Sequence, residues 1–255
     1  LMDTTYSMVD EISNLQSSLS STIIPGVQAV IPDVWFAVGR FDDYPVIPWG
    51  SPTATPPYTT EPDVVYRLNQ RTTSSVAAAQ NAVTSLVLHD GYDLPESHVP
   101  ALWASATGNG LGTYLAAQGS CSASEVGYPC FRSGAVPIFV LITDAAFHNG
   151  PGGAEPYSGL SPTPPTYSQA VTQLNAINAK VIGIFSGSGT GWSHLTTLAN
   201  DTGAVASGSP LVFDVGLSGT GLGTEVVDAI ETLANQVPIR VDAIASDDPS
   251  DAVNA

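Results

Sequence analysis

Asp3-Thr4-Thr5-Tyr6-Ser7-Met8-Val9-Asp10-Glu11 is the stretch that decides the fold of this chain. Asp3, Thr5 and Ser7 alternate along one loop, so their side chains can converge on a single point. Apolar residues then recur at helical spacing over residues 8–19 and predict a helix that begins near Ser7. The segment therefore predicts a strand end, a polar loop and a helix, in that order.

Two distant segments add carboxylates to this loop. Pro95-Glu96 supplies one and Thr143-Asp144 supplies another, which makes a set of hydroxyls and carboxylates from three segments. Hard oxygen donors of this kind suit Mg²⁺ or Ca²⁺, with water in the remaining positions. The set contains no His or Cys, which argues against zinc or copper. An ion held this way keeps a position open for an outside carboxylate, and this favours adhesion over catalysis.

The loop resembles the metal-ion-dependent adhesion site of von Willebrand factor A domains, through Asp3-x-Thr5-x-Ser7. The longer string to Glu11 is closer to the integrin β-subunit I-like domain, in which two acidic residues follow Asp-x-Ser-x-Ser-Met. Three further motifs follow in the order of that family, and the resemblance spans roughly residues 1–244. These motifs are Phe41-Asp42-Asp43-Tyr44-Pro45-Val46, Asp93-Leu94-Pro95-Glu96 and the apolar run from Ile138 to Asp144.

The resemblance implies an adhesion site that holds Mg²⁺ or Mn²⁺. Its residues would be Asp3, Thr5, Ser7, Glu96 and Asp144. In related families the aspartates often act through water, whereas the two hydroxyls bind the ion directly. An inner shell with little charge leaves the ion more electrophilic toward an incoming carboxylate.

The resemblance also implies an adjacent Ca²⁺ site beside the first helix. It would use the carbonyl of Ser7, the side chains of Asp10 and Glu11, and a carbonyl near Leu217. Glu11 replaces the usual aspartate and is one carbon longer, so this site is altered. The alternative is that Asp10 and Glu11 only favour the dipole of the first helical turn.

A second, outer Ca²⁺ site is implied on the other side of the adhesion site. Its ligands would be Asp43, Asp93, the Pro95 carbonyl and Glu96. The asparagine of the family falls at Gly91, which has no side chain to offer. Either Asp90 or Asp42 substitutes for it, or the site holds no ion.

The rest of the chain predicts one α/β domain at residues 1–246, followed by an acidic tail or linker at 247–255. The sheet is expected to be doubly wound and mostly parallel, with flanking helices, as in von Willebrand A and Rossmann-like folds. In such sheets ligands bind beyond the carboxyl ends of the strands. The patterns predict strands at 34–41, 138–143, 181–185 and 237–244, and helices at 76–87, 98–106, 167–177 and 222–233.

Charge and hydropathy limit the partners. The net charge is −17 with only six basic residues, which excludes a nucleic-acid partner because phosphate binding needs a basic patch. The acidity reflects either solubility or several cation sites. No apolar run approaches the ~18 residues of a membrane helix, so a membrane is expected only through other parts of the intact protein. The chain begins almost at the metal loop, and we expect it to be a fragment.

Cys121 and Cys130 are the only cysteines and flank a turn-rich stretch. In an exported domain two cysteines commonly pair, which predicts a disulfide and an extracellular or cell-surface location. The alternative is two free thiols in a cytosolic protein.

Three functions are compatible with these patterns. The leading hypothesis is a non-enzymatic adhesion module that captures an acidic group on a protein or surface ligand. In the related family a long insertion shapes ligand choice, and the proline-rich loop at 44–62 has its position; the alternative for this loop is a solvated linker. The second hypothesis is a non-adhesive A domain that assembles an enzyme complex such as a chelatase. The third is a structural domain that metals only stabilise.

Overall fold

The computed structural model describes residues 1–56 and 59–236. The strands are β1 Met2–Asp3, β2 Phe36–Phe41, β3 Arg67–Thr73, β4 Ile138–Thr143, β5 Lys180–Phe185, β6 Val205–Ala206, β7 Ser209–Pro210 and β8 Val212–Asp214. The α-helices are α1 Val9–Ser18, α2 Ile24–Val30, α3 Val76–Thr84, α4 His98–Thr107, α5 Tyr167–Ala176, α6 Thr190–Asp201 and α7 Leu222–Gln236. Short 3₁₀ turns occur at Tyr6–Met8 and Pro151–Gly153, and a π-helix at Leu19–Ile23 joins α1 to α2.

Six strands form the main sheet in the order β3-β2-β1-β4-β5-β8. Only the edge strand β3 is antiparallel to its neighbour, and the other pairs are parallel. The chain first adds strands on one side of β1 and later adds them on the other side, beyond β4. The direction of winding therefore changes between β1 and β4, which is where open α/β sheets bind ligands at their carboxyl edge. Asp3 ends β1 and Asp144 directly follows β4 at this edge.

The core has one layer of helices on each face of the sheet. Ile142 of β4 packs with the apolar faces of α1, α2, α3 and α7, whereas its neighbour Leu141 packs with α4, α5 and α6. Alternation of this kind follows from the two-residue period of a strand. It makes both faces of the central strands apolar, as expected for buried parallel strands. The prediction of an α/β fold with a mostly parallel sheet and flanking helices is confirmed.

Element boundaries differ from the sequence prediction at several places. The first helical region continues beyond residue 19 through the π-helix and α2, and strand β2 begins at Phe36 rather than at residue 34. The sequence did not predict β3 or α6. The strand predicted at 237–244 and the tail predicted at 247–255 lie outside the described residues.

Cys121 and Cys130 form the predicted disulfide. Its loop lies against β3, where the backbone N–H and the hydroxyl of Thr72 both donate to the Pro129 carbonyl, at 3.0 and 2.8 Å. Arg71 also directs its guanidinium at Cys130 Sγ, 2.9 Å away. Within residues 1–56 and 59–236, no helix combines the length and the apolar character that crossing a membrane requires.

Candidate metal centre

The loop after β1 is a hydrogen-bonded unit around Asp3. The carboxylate oxygen Oδ1 of Asp3 accepts from the backbone N–H of Thr5 at 3.0 Å and from the Thr5 hydroxyl at 2.8 Å. Ser7 Oγ lies 3.4 Å from Thr5 Oγ1 and donates to Asp144 Oδ1 at 3.2 Å. The structure therefore brings together four of the five residues predicted for the adhesion site: Asp3, Thr5, Ser7 and Asp144.

A layer of side chains beneath the loop fixes the other oxygen of Asp3. Thr143 Oγ1 donates to Asp3 Oδ2 at 2.7 Å, and His98 Nε2 lies 2.8 Å from the same hydroxyl. His98 is fully buried and stacks on Phe147, with ring centroids 4.1 Å apart. Burial lowers the pKa of His98 to about 3, so this histidine is neutral at physiological pH. Its position is that of an orienting group, because hydrogen bonds behind a ligand commonly fix its geometry.

Glu96, the fifth predicted residue, is a buried carboxylate with an oxygen that lacks a donor. Within residues 1–56 and 59–236, its Oε2 finds no hydrogen-bond partner. Its Oε1 and Thr5 Cγ2 both lie beside Gly91: a Cβ added to Gly91 would come within 2.9 Å of each atom. Gly91 adopts φ +59°, so it supplies both the backbone conformation and the space that Glu96 occupies. Burial, followed by the charges of nearby aspartates, raises the pKa of Glu96 well above its usual value.

Three carboxylates share this pocket, and the pKa of each is raised. Burial, followed by the charge of the neighbouring Asp144, raises the pKa of Asp3 to about 7. Burial also raises the pKa of Asp144 itself. These carboxylates and hydroxyls are all hard oxygen donors, the kind that Mg²⁺, Mn²⁺ and Ca²⁺ prefer. The donor set fits a divalent cation, which would make up for the hydration that burial removes from the carboxylates.

The residues predicted for the adjacent Ca²⁺ site are only partly assembled. Glu11 is buried on α1, and its side chain lies against the late loop, where a Cβ on Gly219 would come within 3.1 Å of Glu11 Oε1. Asp10 and Ser7 are exposed, and Leu217 is 78% exposed on the same late loop. The late loop thus lies against the first helix, while the four ligands of this site remain a prediction.

The outer site differs most from its predicted form. Asp43 and Asp93 do lie together, but His148 lies between them: its Nε2 is 3.0 Å from Asp93 Oδ2 and 3.4 Å from Asp43 Oδ2. Burial raises the pKa of Asp43 to about 8. Pro95 is half-buried in the loop between Asp93 and Glu96. An imidazole nitrogen among the ligands does not fit the all-oxygen set of a calcium site.

Neither substitute considered for the missing asparagine joins the outer site. Asp42 is buried, and its carboxylate accepts hydrogen bonds from the Thr4 hydroxyl and from the Val64 N–H. Asp90 accepts from the hydroxyl of Thr55 at 2.9 Å, on the proline-rich loop.

The sequence interpretation missed three residues that organise this edge. His148 had a signal, because it follows Asp144 by four residues on the segment after β4. Tyr157 donates to Asp43 Oδ1 at 2.6 Å, and no local pattern marks it. Asp63 is buried and accepts from the N–H groups of Ser51, Asp90 and Gly91, which ties the proline-rich loop to the glycine turn.

No family model matches the chain, and no curated protein matches its sequence.

Proposed function

We propose that this domain is a metal-dependent adhesion module of the von Willebrand A class, with an integrin β I-like site. A divalent cation, Mg²⁺ or Mn²⁺, would be held by Asp3, Thr5, Ser7, Glu96 and Asp144, with Ca²⁺ at the adjacent site. The ion supplies the positive charge that attracts a carboxylate from the partner. The partner is a protein or surface ligand that presents an acidic group.

One observation carries this proposal: a continuous hydrogen-bonded set runs from Thr143 through Asp3, Thr5 and Ser7 to Asp144. It lies at the carboxyl edge of the sheet, between the strands where the winding changes direction. Ser7 is exposed, so a partner can reach the set from solvent. The buried Glu96 oxygen without a donor offers a further ligand atom for the ion.

The domain's own residues have distinct roles in this mechanism. Thr5 and Ser7 offer neutral oxygens, so they bind an ion without cancelling its charge. Asp3 and Asp144 hold those hydroxyls in place through hydrogen bonds at 2.8 and 3.2 Å. The proline-rich loop at 44–62 would recognise the partner's remaining side chains. Asp63, which follows this loop, ties it to the edge because its carboxylate accepts from the N–H groups of Ser51 and Gly91. The disulfide supports an extracellular or cell-surface location.

Calorimetry of metal binding tests the site. Wild-type protein should bind Mg²⁺ or Mn²⁺, and Asp3→Ala and Asp144→Ala should each lose one equivalent because each removes a carboxylate of the set. Asp228→Ala is the matched control, since Asp228 is an exposed carboxylate on α7. Unchanged stoichiometry in both site variants would rule the assignment out.

A further inference from the structure

Two residues of the outer site, Asp43 and Asp93, form a compact cluster with His148 that the proposed adhesion function does not use. Asp43, Asp93 and His148 offer ligand atoms that all lie within 4.8 Å of one another. The side chains of Asp43 and His148 are 0% and 2% exposed, whereas that of Asp93 is 29% exposed. The cluster is therefore buried on two sides and open to solvent on the third.

The orientation of His148 decides which atom faces the carboxylates. Its Nδ1 lies 2.8 Å from the carbonyl oxygen of Glu155. A carbonyl only accepts hydrogen bonds, so Nδ1 carries a hydrogen. Nε2 therefore faces the carboxylates of Asp43 and Asp93, to which it donates while protonated and beside which it would bind a metal once deprotonated. An imidazole whose far nitrogen donates to a carbonyl is the usual arrangement of a histidine that binds metal.

Asp43 is oriented in a similar way. Its Oδ1 accepts from the Tyr157 hydroxyl at 2.6 Å and from its own neighbour, the Tyr44 N–H. Its Oδ2 is buried and has no hydrogen-bond partner among the described residues, and the same is true of Asp93 Oδ1. Asp43 Oδ2, Asp93 Oδ2 and His148 Nε2 thus meet around one point, where a metal cation could replace the proton on Nε2.

The structure assigns this cluster as a second metal centre, and we propose that it takes Zn²⁺, or a similar borderline divalent ion, rather than calcium. Imidazole suits zinc and cobalt, whereas calcium prefers oxygen. Ligands about 2.0–2.1 Å from a tetrahedral zinc lie roughly 3.3 Å apart. The 3.0 and 3.4 Å separations from Nε2 to the two carboxylates match this spacing. Three protein ligands leave a fourth position open on the side of Asp93.

This centre lies under the proline-rich loop. The ring of Trp49 meets the edge of His148 with centroids 5.0 Å apart, and the Asp93 N–H donates to the Trp49 carbonyl at 3.4 Å. Tyr157 packs on the same imidazole at 4.3 Å. An ion at this position would therefore brace the loop that borders the adhesion site, without contributing to ligand capture itself.

Metal titration in the presence of excess Mg²⁺ and Ca²⁺ tests the proposal, because those ions fill the oxygen sites. Zn²⁺ should still bind by calorimetry with a stoichiometry of about one, and Co²⁺ should give visible absorption bands typical of a low-coordinate site. His148→Gln should weaken this binding by more than about 100-fold, since loss of a mere outer hydrogen bond already costs 10–100-fold. Thr5→Ala is the matched control, which should impair Mg²⁺ binding and leave the Co²⁺ spectrum unchanged.

Circular dichroism verifies that His148→Gln is folded, and Asp93→Asn provides a second variant at a more exposed position. The proposal is overturned if wild-type protein binds no Zn²⁺ or Co²⁺ under these conditions. It is equally overturned if both variants bind Co²⁺ as tightly as wild type. Because the Thr5→Ala control probes the other site, failure here and failure of the adhesion proposal give different results.

Discussion

At the scale of single residues, the hydroxyl of Thr143 orients Asp3 by a hydrogen bond. Its hydroxyl holds Asp3 Oδ2 at 2.7 Å while Thr5 holds Oδ1, so the carboxylate cannot rotate. Thr143→Val keeps the shape and removes the donor. We expect metal affinity at the adhesion site to fall by about 10–100-fold, as measured by Mn²⁺ calorimetry.

Thr196→Val is the matched control for this change. The Thr196 hydroxyl is buried and has no hydrogen-bond partner in the part of the chain that the structure describes. The same substitution there should therefore leave metal affinity and stability nearly unchanged. Equal metal affinity in Thr143→Val and wild type would show that Asp3 needs no such support.

The buried carboxylates also predict a dependence of stability on pH. Burial raises the pKa of Asp3 to about 7 and that of Asp43 to about 8, so the folded state takes up protons that the unfolded state releases. A raised carboxyl pKa makes stability fall as pH rises toward and through the folded value. In EDTA, the melting temperature should therefore increase when pH is lowered from about 8 to about 6.5. Saturating Mg²⁺ and Zn²⁺ should reduce this increase, because cations replace the protons.

The window ends near pH 6.5 because histidines then act in the opposite direction. Burial lowers the pKa of His89 to about 4 and that of His98 to about 3. As pH falls, these two histidines therefore become protonated in the unfolded state before they do so in the folded state. Below pH 6.5 this effect works against stability. A melting temperature in EDTA that is constant or falls from pH 8 to 6.5 would contradict the carboxylate argument.

At the scale of elements, the sequence was most informative for segments whose side chains have a clear period. β4 lies at the predicted residues, and α5 and α7 begin at the predicted residues. A buried strand has a continuous apolar run and an amphipathic helix has a 3.6-residue apolar period, and both patterns can be read from the sequence. The edge strand β3 was missed since Arg67-Leu68-Asn69-Gln70-Arg71-Thr72-Thr73 is mostly polar and pairs on one side only. α6 was missed because it begins at a glycine-rich turn and carries many Ser and Thr residues.

The candidate site also has a part that the sequence predicted and a part that it did not. The motif predicted which side chains of the β1 loop and of the segment after β4 lie together, because each follows a strand directly. The sequence could place His148 near Asp144 but not orient it, since its orientation depends on the Glu155 carbonyl, and that of Asp43 on the Tyr157 hydroxyl. Both contacts join segments whose approach only the folded chain defines.

The disulfide gives a prediction at the element scale. Cys121 and Cys130 are nine residues apart, and closing so short a loop is expected to stabilise the fold by about 2–3 kcal/mol. Replacing both with serine should lower the free energy of unfolding by that amount in urea titrations. Metal binding should be unchanged, because this loop anchors to β3 rather than to the carboxyl edge of β1 and β4. A loss of Mg²⁺ binding in a variant that remains folded would show that the loop does reach the site.

At the scale of the whole molecule, net charge affects how an acidic ligand approaches the domain. The net charge is −17, so the domain as a whole repels an acidic partner while the proposed ion attracts its carboxylate. Long-range repulsion is screened by salt, since the Debye length falls from about 30 Å at 0.01 M to about 8 Å at 0.15 M. The contact between ion and carboxylate lies within a few ångströms and is screened much less.

Association with an acidic ligand should consequently become faster as salt is raised over that range, the opposite of what a basic nucleic-acid-binding surface shows. Surface plasmon resonance with immobilised Asp-containing peptides, or with cell-surface and matrix preparations, measures this rate. EDTA should abolish binding, and shortening the 44–62 loop should weaken it by removing side-chain contacts. Thr5→Ala should behave like EDTA, whereas Asp228→Ala should bind normally. Binding that survives both EDTA and Thr5→Ala would exclude a metal bridge, and a rate that falls with salt would show that a local basic contact recruits the ligand instead.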